Sequence, residues 1–398
     1  MKKPRVWEMI CIIFVFCGVT AIASPAQIFT TLYSFDFTDG YQPRASLVQG
    51  TDGNLYGTAL FGGGNGSCLH NCGTVFKITP SGTLTTLHSF GGIDGAYPYA
   101  GLVQATDGNL YGTTSFEGGG SYGTVFKITP SGALTTLHTF SGADGTDPYA
   151  TLIQATDGNL YGTTSCDNSC APFNRGTVFK IAPEYPYTLT TLHSFDGFDG
   201  ALPYAGLVQA ADGNFYGTTN EGGASGVGTV FKITPTGTLS TLHSFSFNRT
   251  DGSYPSAGLV QATDGNLYGT TYSGGTNGRG AIFRITFAGA LAILHSFDGA
   301  EGSNPYAGLI QASDGNFYGT TQYGGANGAG TVFKITPSGT LTTLHSFDGS
   351  DGANPDGGLI QAADGNFYGT AVGGGAYGYG TVFRLALLRA CIVCPSAE

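Results

Sequence analysis

Short runs of alternating apolar and polar residues recur along this chain, separated by turn residues. In one copy, Gly101-Leu102-Val103-Gln104-Ala105 is followed by a tight turn at Thr106-Asp107-Gly108 and a second run from Asn109 to Thr114. A Gly-rich loop, Ser115 to Tyr122, leads to a third run, Gly123 to Thr129. Pro130-Ser131-Gly132 then turns the chain into a fourth, Leu134 to Phe140. Period-two runs rich in β-branched and aromatic residues read as strands. Asp-Gly and Pro-x-Gly between them read as hairpins, since Gly supplies the positive φ that such turns need.

The motif Asp107-Gly108-Asn109-Leu110-Tyr111-Gly112-Thr113-Thr114 recurs with small changes from Asp52, Asp157, Asp212, Asp264, Asp314 and Asp364, at intervals of 50 to 55 residues. A fixed period of this length signals a repeat architecture. Four antiparallel strands per unit predict the blade of a β-propeller. A β-solenoid needs shorter rungs of roughly 20–25 residues and no regular hairpins. The chain starts with a run of the fourth kind, Thr30 to Phe35, and its last unit, from Gly358, stops after a third, Gly380 to Leu385. The N-terminal strand is therefore expected to complete the last blade, closing an all-β ring of seven four-stranded blades.

Composition agrees. Gly is frequent, at 67 of 398 residues, and charged residues are only 10%, yet 41% of the chain is hydrophobic and 13% aromatic. That apolar content excludes a disordered low-complexity chain and assigns the glycines to turns. At the N-terminus Lys2, Lys3 and Arg5 precede an apolar run from Met9 to Val19 and a small-x-small site at Ala21-Ile22-Ala23, the pattern of a removed signal peptide. The expected organisation is a signal peptide at 1–23, a short linker at 24–29, the propeller at 30–388 and a tail at 389–398. Without residues 1–23 the chain has 12 Lys plus Arg against 25 Asp plus Glu, a net charge of −13. Such a surface argues against nucleic acid or anionic membrane as partner. No transmembrane segment is expected in the mature chain.

The repeated pattern G-L-[VI]-Q-x-x-D-G-N-[LF]-Y-G-T, followed by G-G-x-x-G-x-G-[TA]-[VI]-F-[KR]-[IL], resembles the GloVer (Gloeobacter–Verrucomicrobium) tandem repeat of secreted choice-of-anchor proteins. The resemblance covers about residues 30–388. It implies extracellular or cell-surface placement, with periplasm as the alternative, and a propeller-like array, and it brings no activity. Residues Leu387 to Glu398 are too short for the anchor segment such proteins often carry. The diglycine is also similar to kelch repeats, but the only Trp, Trp7, lies in the signal segment.

Several residue types repeat at one position per unit, and repetition argues for architecture. His88, His138, His193, His243, His295 and His345, with Tyr33 in the equivalent place, are held apart by a ring and are read as hydrogen-bonding residues rather than catalysts. Lys77, Lys127, Lys180, Lys232, Arg284, Lys334 and Arg384 are each expected beside the Asp of a D-G-N turn, as Lys127 beside Asp107. Gln49, Gln104, Gln154, Gln209, Gln261, Gln311 and Gln361 lie on the innermost strands and are expected to bond within or between blades.

Variation concentrates on the opposite rim, where D-G-x-x-P loops link successive blades. The candidate ligand-binding residues there are Tyr99, Tyr149, Tyr204 and Tyr306 after the prolines, Asp94, Asp144, Asp199 and Asp351 before them, and Phe116, Tyr272 and Tyr323 in the neighbouring loops. Variable loops on a rigid scaffold commonly carry binding, and rings interspersed with carboxylates suit sugars. Cys68/Cys72, Cys166/Cys170 and Cys391/Cys394 are expected to form local disulfides in an oxidising compartment. No catalytic motif or cofactor site stands out. Asp348 to Asp356 and Asp144 to Asp147 offer oxygen ligands for calcium but match no EF-hand. The reading is a monomeric, non-catalytic module for extracellular carbohydrate or another extracellular protein. Its alternatives are a propeller polysaccharide hydrolase or lyase and a structural matrix protein.

Overall fold

A computed structural model describes residues 27–64, 68–116, 122–165, 175–246 and 249–387. The expected signal segment at 1–23, the expected tail at 389–398, and Cys166, Cys170, Cys391 and Cys394 lie outside them. The described residues contain no helix and form seven four-stranded antiparallel sheets, the blades of a propeller. Blade 1 comprises β2 (Val48–Gln49), β3 (Leu55–Ala59), β4 (Thr74–Ile78) and β5 (Leu84–Ser89), and blades 2 to 6 repeat it. Blade 7 comprises β26 (Ile360–Gln361), β27 (Phe367–Ala371) and β28 (Thr381–Leu387), with β1 (Gln27–Ser34) paired to β28 as its outer strand. The ring closes as the sequence predicts. β1 takes in Gln27 to Phe29 ahead of the expected Thr30, and the Phe29 ring packs against His345, Phe347 and Phe383.

The core lies between blades. At each of the seven interfaces two Phe rings meet edge to face, from Phe35–Phe76 at 5.3 Å through Phe90–Phe126 at 5.4 Å to Phe347–Phe383 at 5.3 Å. This arrangement suits the ring quadrupoles and adds to the apolar burial. The Gly inside the D-G-N-x-Y-G-T strand makes room for it: a Cβ on Gly112 would stand 2.7 Å from Phe126 Cζ and 2.8 Å from Leu102 Cδ2.

Polar residues fasten the blades. Each innermost Gln accepts a backbone N–H from the preceding blade, as Gln104 Oε1 does from Thr51 N at 2.9 Å, and Gln49 closes the circle with Ala363 N at 2.8 Å. Every D-G-N Asp accepts the hydroxyl of the Tyr four residues on, Tyr111 to Asp107 at 2.8 Å for example. The cation predicted beside each of these Asp is there in all seven blades, but direct ion pairs form only at Lys232–Asp212 (3.0 Å) and Lys334–Asp314 (3.3 Å).

The innermost strands are two residues long, shorter than the five-residue runs of the sequence suggest. Near the axis the chain leaves its own sheet, and its backbone groups turn to the neighbouring blade instead. Thr113 Oγ1 donates to Pro148 O at 2.9 Å and Thr163 to Pro203 O and Ala205 O, while Thr58, Thr218, Thr270, Thr320 and Thr370 donate to the carbonyl two residues past the equivalent proline.

Candidate functional site

Those threonine bonds pin the segment after each D-G-x-x-P proline at the axis. The segment is aimed by the residue before the proline, which lies in the left-handed region in all seven blades: Gln42, Tyr97, Asp147, Leu202, Tyr254, Asn304 and Asn354, with φ from 52° to 58°. A non-Gly residue there costs energy and persists only where its surroundings hold it. Both backbone groups of each are bonded. Tyr97 N donates to Cys72 O at 2.9 Å, and Tyr97 O accepts from Ser115 N at 3.0 Å.

The residues after the prolines therefore converge at one mouth of the central channel: Arg44, Tyr99, Tyr149, Tyr204, Ser256, Tyr306 and Asp356. They border a cavity of about 130 Å³. The four tyrosines were sequence candidates. Arg44 and Ser256 were not, and Asp356 was considered only for calcium. Aligning the seven copies at the position after proline would have exposed all three as departures from Tyr.

The mouth has two unlike banks. On blades 2 to 4, Tyr99 and Tyr149 meet edge to face at 4.8 Å, and Tyr149 and Tyr204 at 5.9 Å. On the other side runs a chain of polar groups. Tyr272 OH donates to Gln322 Oε1 at 3.3 Å, Gln322 Nε2 to Asp356 Oδ1 at 2.7 Å, and Arg44 Nη1 both to Asp356 Oδ2 at 2.7 Å and to Tyr99 OH at 3.1 Å. Burial pushes the Asp356 carboxyl above its ordinary range, against the pull of Arg44 and Gln322. Burial and the neighbouring Tyr99 likewise push the Tyr306 hydroxyl up, so it stays a neutral donor.

The remaining candidates stand away from the axis. Asp94, Asp144, Asp199 and Asp351 each accept from the repeated histidine of their blade at 2.7 to 2.8 Å, and each also receives a backbone N–H of its own loop. Tyr33–Asp39, His243–Asp251 and His295–Glu301 complete the set. The histidines thus have the hydrogen-bonding role expected of them, bracing the linking loops. Asp348, Asp351 and Asp356 go to separate partners, and among the described residues no group of three metal-binding side chains gathers.

Tyr272 sits beside Tyr306 with ring centres 6.1 Å apart, Phe116 lies 5.9 Å from Tyr97, and Tyr323 is exposed on its loop. The Cys68–Cys72 disulfide forms as expected and closes a loop carrying Leu69 and His70.

A sequence profile of the Gloeobacter/Verrucomicrobia repeat matches the chain over residues 18–171, 68–263 and 209–390. No curated protein sequence matches it significantly. The fold is shared with solved structures, two of which serve as examples. One is the extracellular domain of a candidate one-component system from B. thetaiotaomicron, with TM-score 0.55 and 12% identity over 89% of this chain; the chain spans only 39% of that protein's length. The other is a candidate 6-phosphogluconolactonase from Bacteroides uniformis, with TM-score 0.51 and 18% identity, covering 76% of this chain and 84% of that one.

Proposed function

We propose that this chain, which belongs to the Gloeobacter/Verrucomicrobia repeat family, is an exported propeller that binds carbohydrate at the mouth of its channel without transforming it. One observation carries the reading. Positions that build the ring are the same or nearly so in every blade: the Gln, the Thr, and the Tyr bonded to Asp. The mouth positions instead read Arg, Tyr, Tyr, Tyr, Ser, Tyr and Asp. Architecture asks for sevenfold sameness, so an asymmetric, two-banked mouth is what a ligand would require.

The banks suit a sugar. Tyrosine rings cover the apolar face of a pyranose, while Arg44, Ser256 and the phenols meet its hydroxyls, with Arg44 held from behind by Asp356 and Asp356 in turn by Gln322. Asp356 is the only acid of the seven and is bonded to Arg44, so the mouth lacks the two facing carboxylates of ordinary glycosidases. Export rests on the segment at 1–23 and on the Cys68–Cys72 disulfide, which belongs in an oxidising compartment.

The test is binding of the purified protein to an array of neutral and acidic glycans, with an assay for released product on every hit. Specific binding is expected, with Tyr149→Ala weakening it about tenfold, the scale of one lost stacking contact. Product release would make the protein an enzyme. Absence of binding to every glycan would end the carbohydrate reading.

A further inference from the structure

The mouth does not stand alone. Beside it, over blades 1 and 2, runs a groove of about 370 Å³ that shares Tyr99 and Tyr149 with the mouth and continues outward between Leu60, Phe61, Leu69 and Tyr97. Its rings form a connected platform. Tyr97 lies 5.3 Å from Phe61, edge to face, and 5.9 Å from Phe116, stacked. Leu69 is 78% exposed. It is also held in place, since the loop that carries it is closed by the Cys68–Cys72 disulfide and Leu69 O accepts from Tyr97 OH at 3.3 Å. A large apolar side chain fixed in the open beside aromatic rings marks a surface that something covers.

We propose that the ligand is the end of a neutral oligosaccharide: the terminal sugar occupies the mouth, and the next two units lie in this groove over Phe61, Tyr97 and Leu69. This rests on the carbohydrate reading above and specifies the form of the ligand. Three observations fix it. The mouth, at about 130 Å³, has room for a group the size of one sugar ring. The groove alone, at about 370 Å³, falls within the roughly 300–1,000 Å³ usual for ligand sites.

Charge is balanced throughout. Arg44 is paired with Asp356, and apart from the imidazole of His70 and the phenols the other residues lining either cavity carry no ionisable side chain. An anionic polymer would also approach a chain of net charge −11. Finally, the two banks give the ligand a direction. Across the mouth, Tyr272, Gln322 and Asp356 are bonded in a row, and Asn220 Nδ2 donates to Ser256 Oγ at 2.8 Å. This polar row backs Arg44 and, with Ser256, sets the side of the mouth that meets the hydroxyls of a terminal sugar, and the ring platform leads away from it on the side of blades 1 and 2.

Calorimetric titration of the purified protein with gluco-, manno- and galacto-oligosaccharides of one to six units tests this, with cyclic glucans as ligands that have no end. Affinity should rise about tenfold per unit up to three units and then level off, and cyclic glucans should not bind. Phe61→Ala and Leu69→Ala, both at accessible positions, should bring the three-unit affinity down toward the one-unit value, with melting curves confirming the fold. The inference is overturned if cyclic and linear glucans bind alike, if affinity keeps rising past four units, or if the two variants bind three units as well as the parent does. Those outcomes leave the carbohydrate reading standing. Failure of every sugar to bind, whatever its length, overturns both.

Discussion

The tyrosine of each D-G-N-x-Y-G-T motif joins two requirements in one side chain. Its ring is buried between blades, and its hydroxyl reaches the Asp that shapes the turn four residues earlier. Burial raises the Asp107 carboxyl, but hydrogen bonds from Asn109 and Tyr111 outweigh it and hold the group below its usual range. The nearby Lys127 adds a smaller, solvent-screened attraction. Tyr111→Phe should therefore cost about 1.5–3 kcal/mol, the range for a hydrogen bond to a charged group. Lys127→Ala should cost under about 1 kcal/mol. Urea unfolding of both variants checks the order, and equal losses would contradict it. The lysine position was legible from its repetition, whereas the stronger Tyr–Asp bond was not read. Its signal was the constant spacing of Asp and Tyr inside a motif already in view.

At the scale of elements, β1 is the strand on which the ring depends. It pairs with β28 over its length, Gln27 opposite Leu387 and Ser34 opposite Thr381, and the following Phe35 supplies one of the two rings at the interface of blades 7 and 1. Deleting residues 27–36 leaves β28 as an unpaired edge and Phe76 without its partner ring. Size-exclusion chromatography and calorimetry should show association and a lower melting temperature. A permutant that joins Leu387 to Gln27 by a short Pro-x-Gly-type turn, and opens the chain after Asp36, should stay monomeric and fold. If the deletion melts like the parent, β1 does not close the ring. This closure was readable because the end strands are of different kinds, fourth and third. The brevity of the inner strands was not, since it arises where blades converge and backbone groups turn to a neighbour.

For the whole molecule, identical local devices repeated seven times make stability depend on pH at both extremes. The D-G-N carboxylates are held below their usual range, chiefly by hydrogen bonds that overcome burial. Their contribution is present above the unfolded carboxylate range and is lost as pH falls through their lowered folded values. The partner tyrosines are shifted the other way by burial and by the adjacent carboxylate, Tyr216 being pushed up to about 12. Their contribution is full below the ordinary Tyr value near 10 and is lost as pH rises toward the folded value. A plateau of melting temperature from about pH 4 to 10, falling on both sides, is expected from calorimetry. A maximum confined to neutral pH would contradict it.

Strand order, blade number and the closing strand followed from the sequence, because they depend on period-two alternation, on Gly- and Pro-based turns and on a repeat of about 50 residues. These are local properties, written in every copy. The site was only half visible. The four tyrosines were picked out as loop residues, but nothing local says that the residue after each proline stands at the axis while the Asp four positions before that proline faces a histidine. Only closing the circle brings Arg44 to Asp356, 312 positions away, and sets a polar bank opposite an aromatic one. A ring places one residue per blade at its mouth, so the chemistry of that mouth is a property of all seven blades together and of none alone.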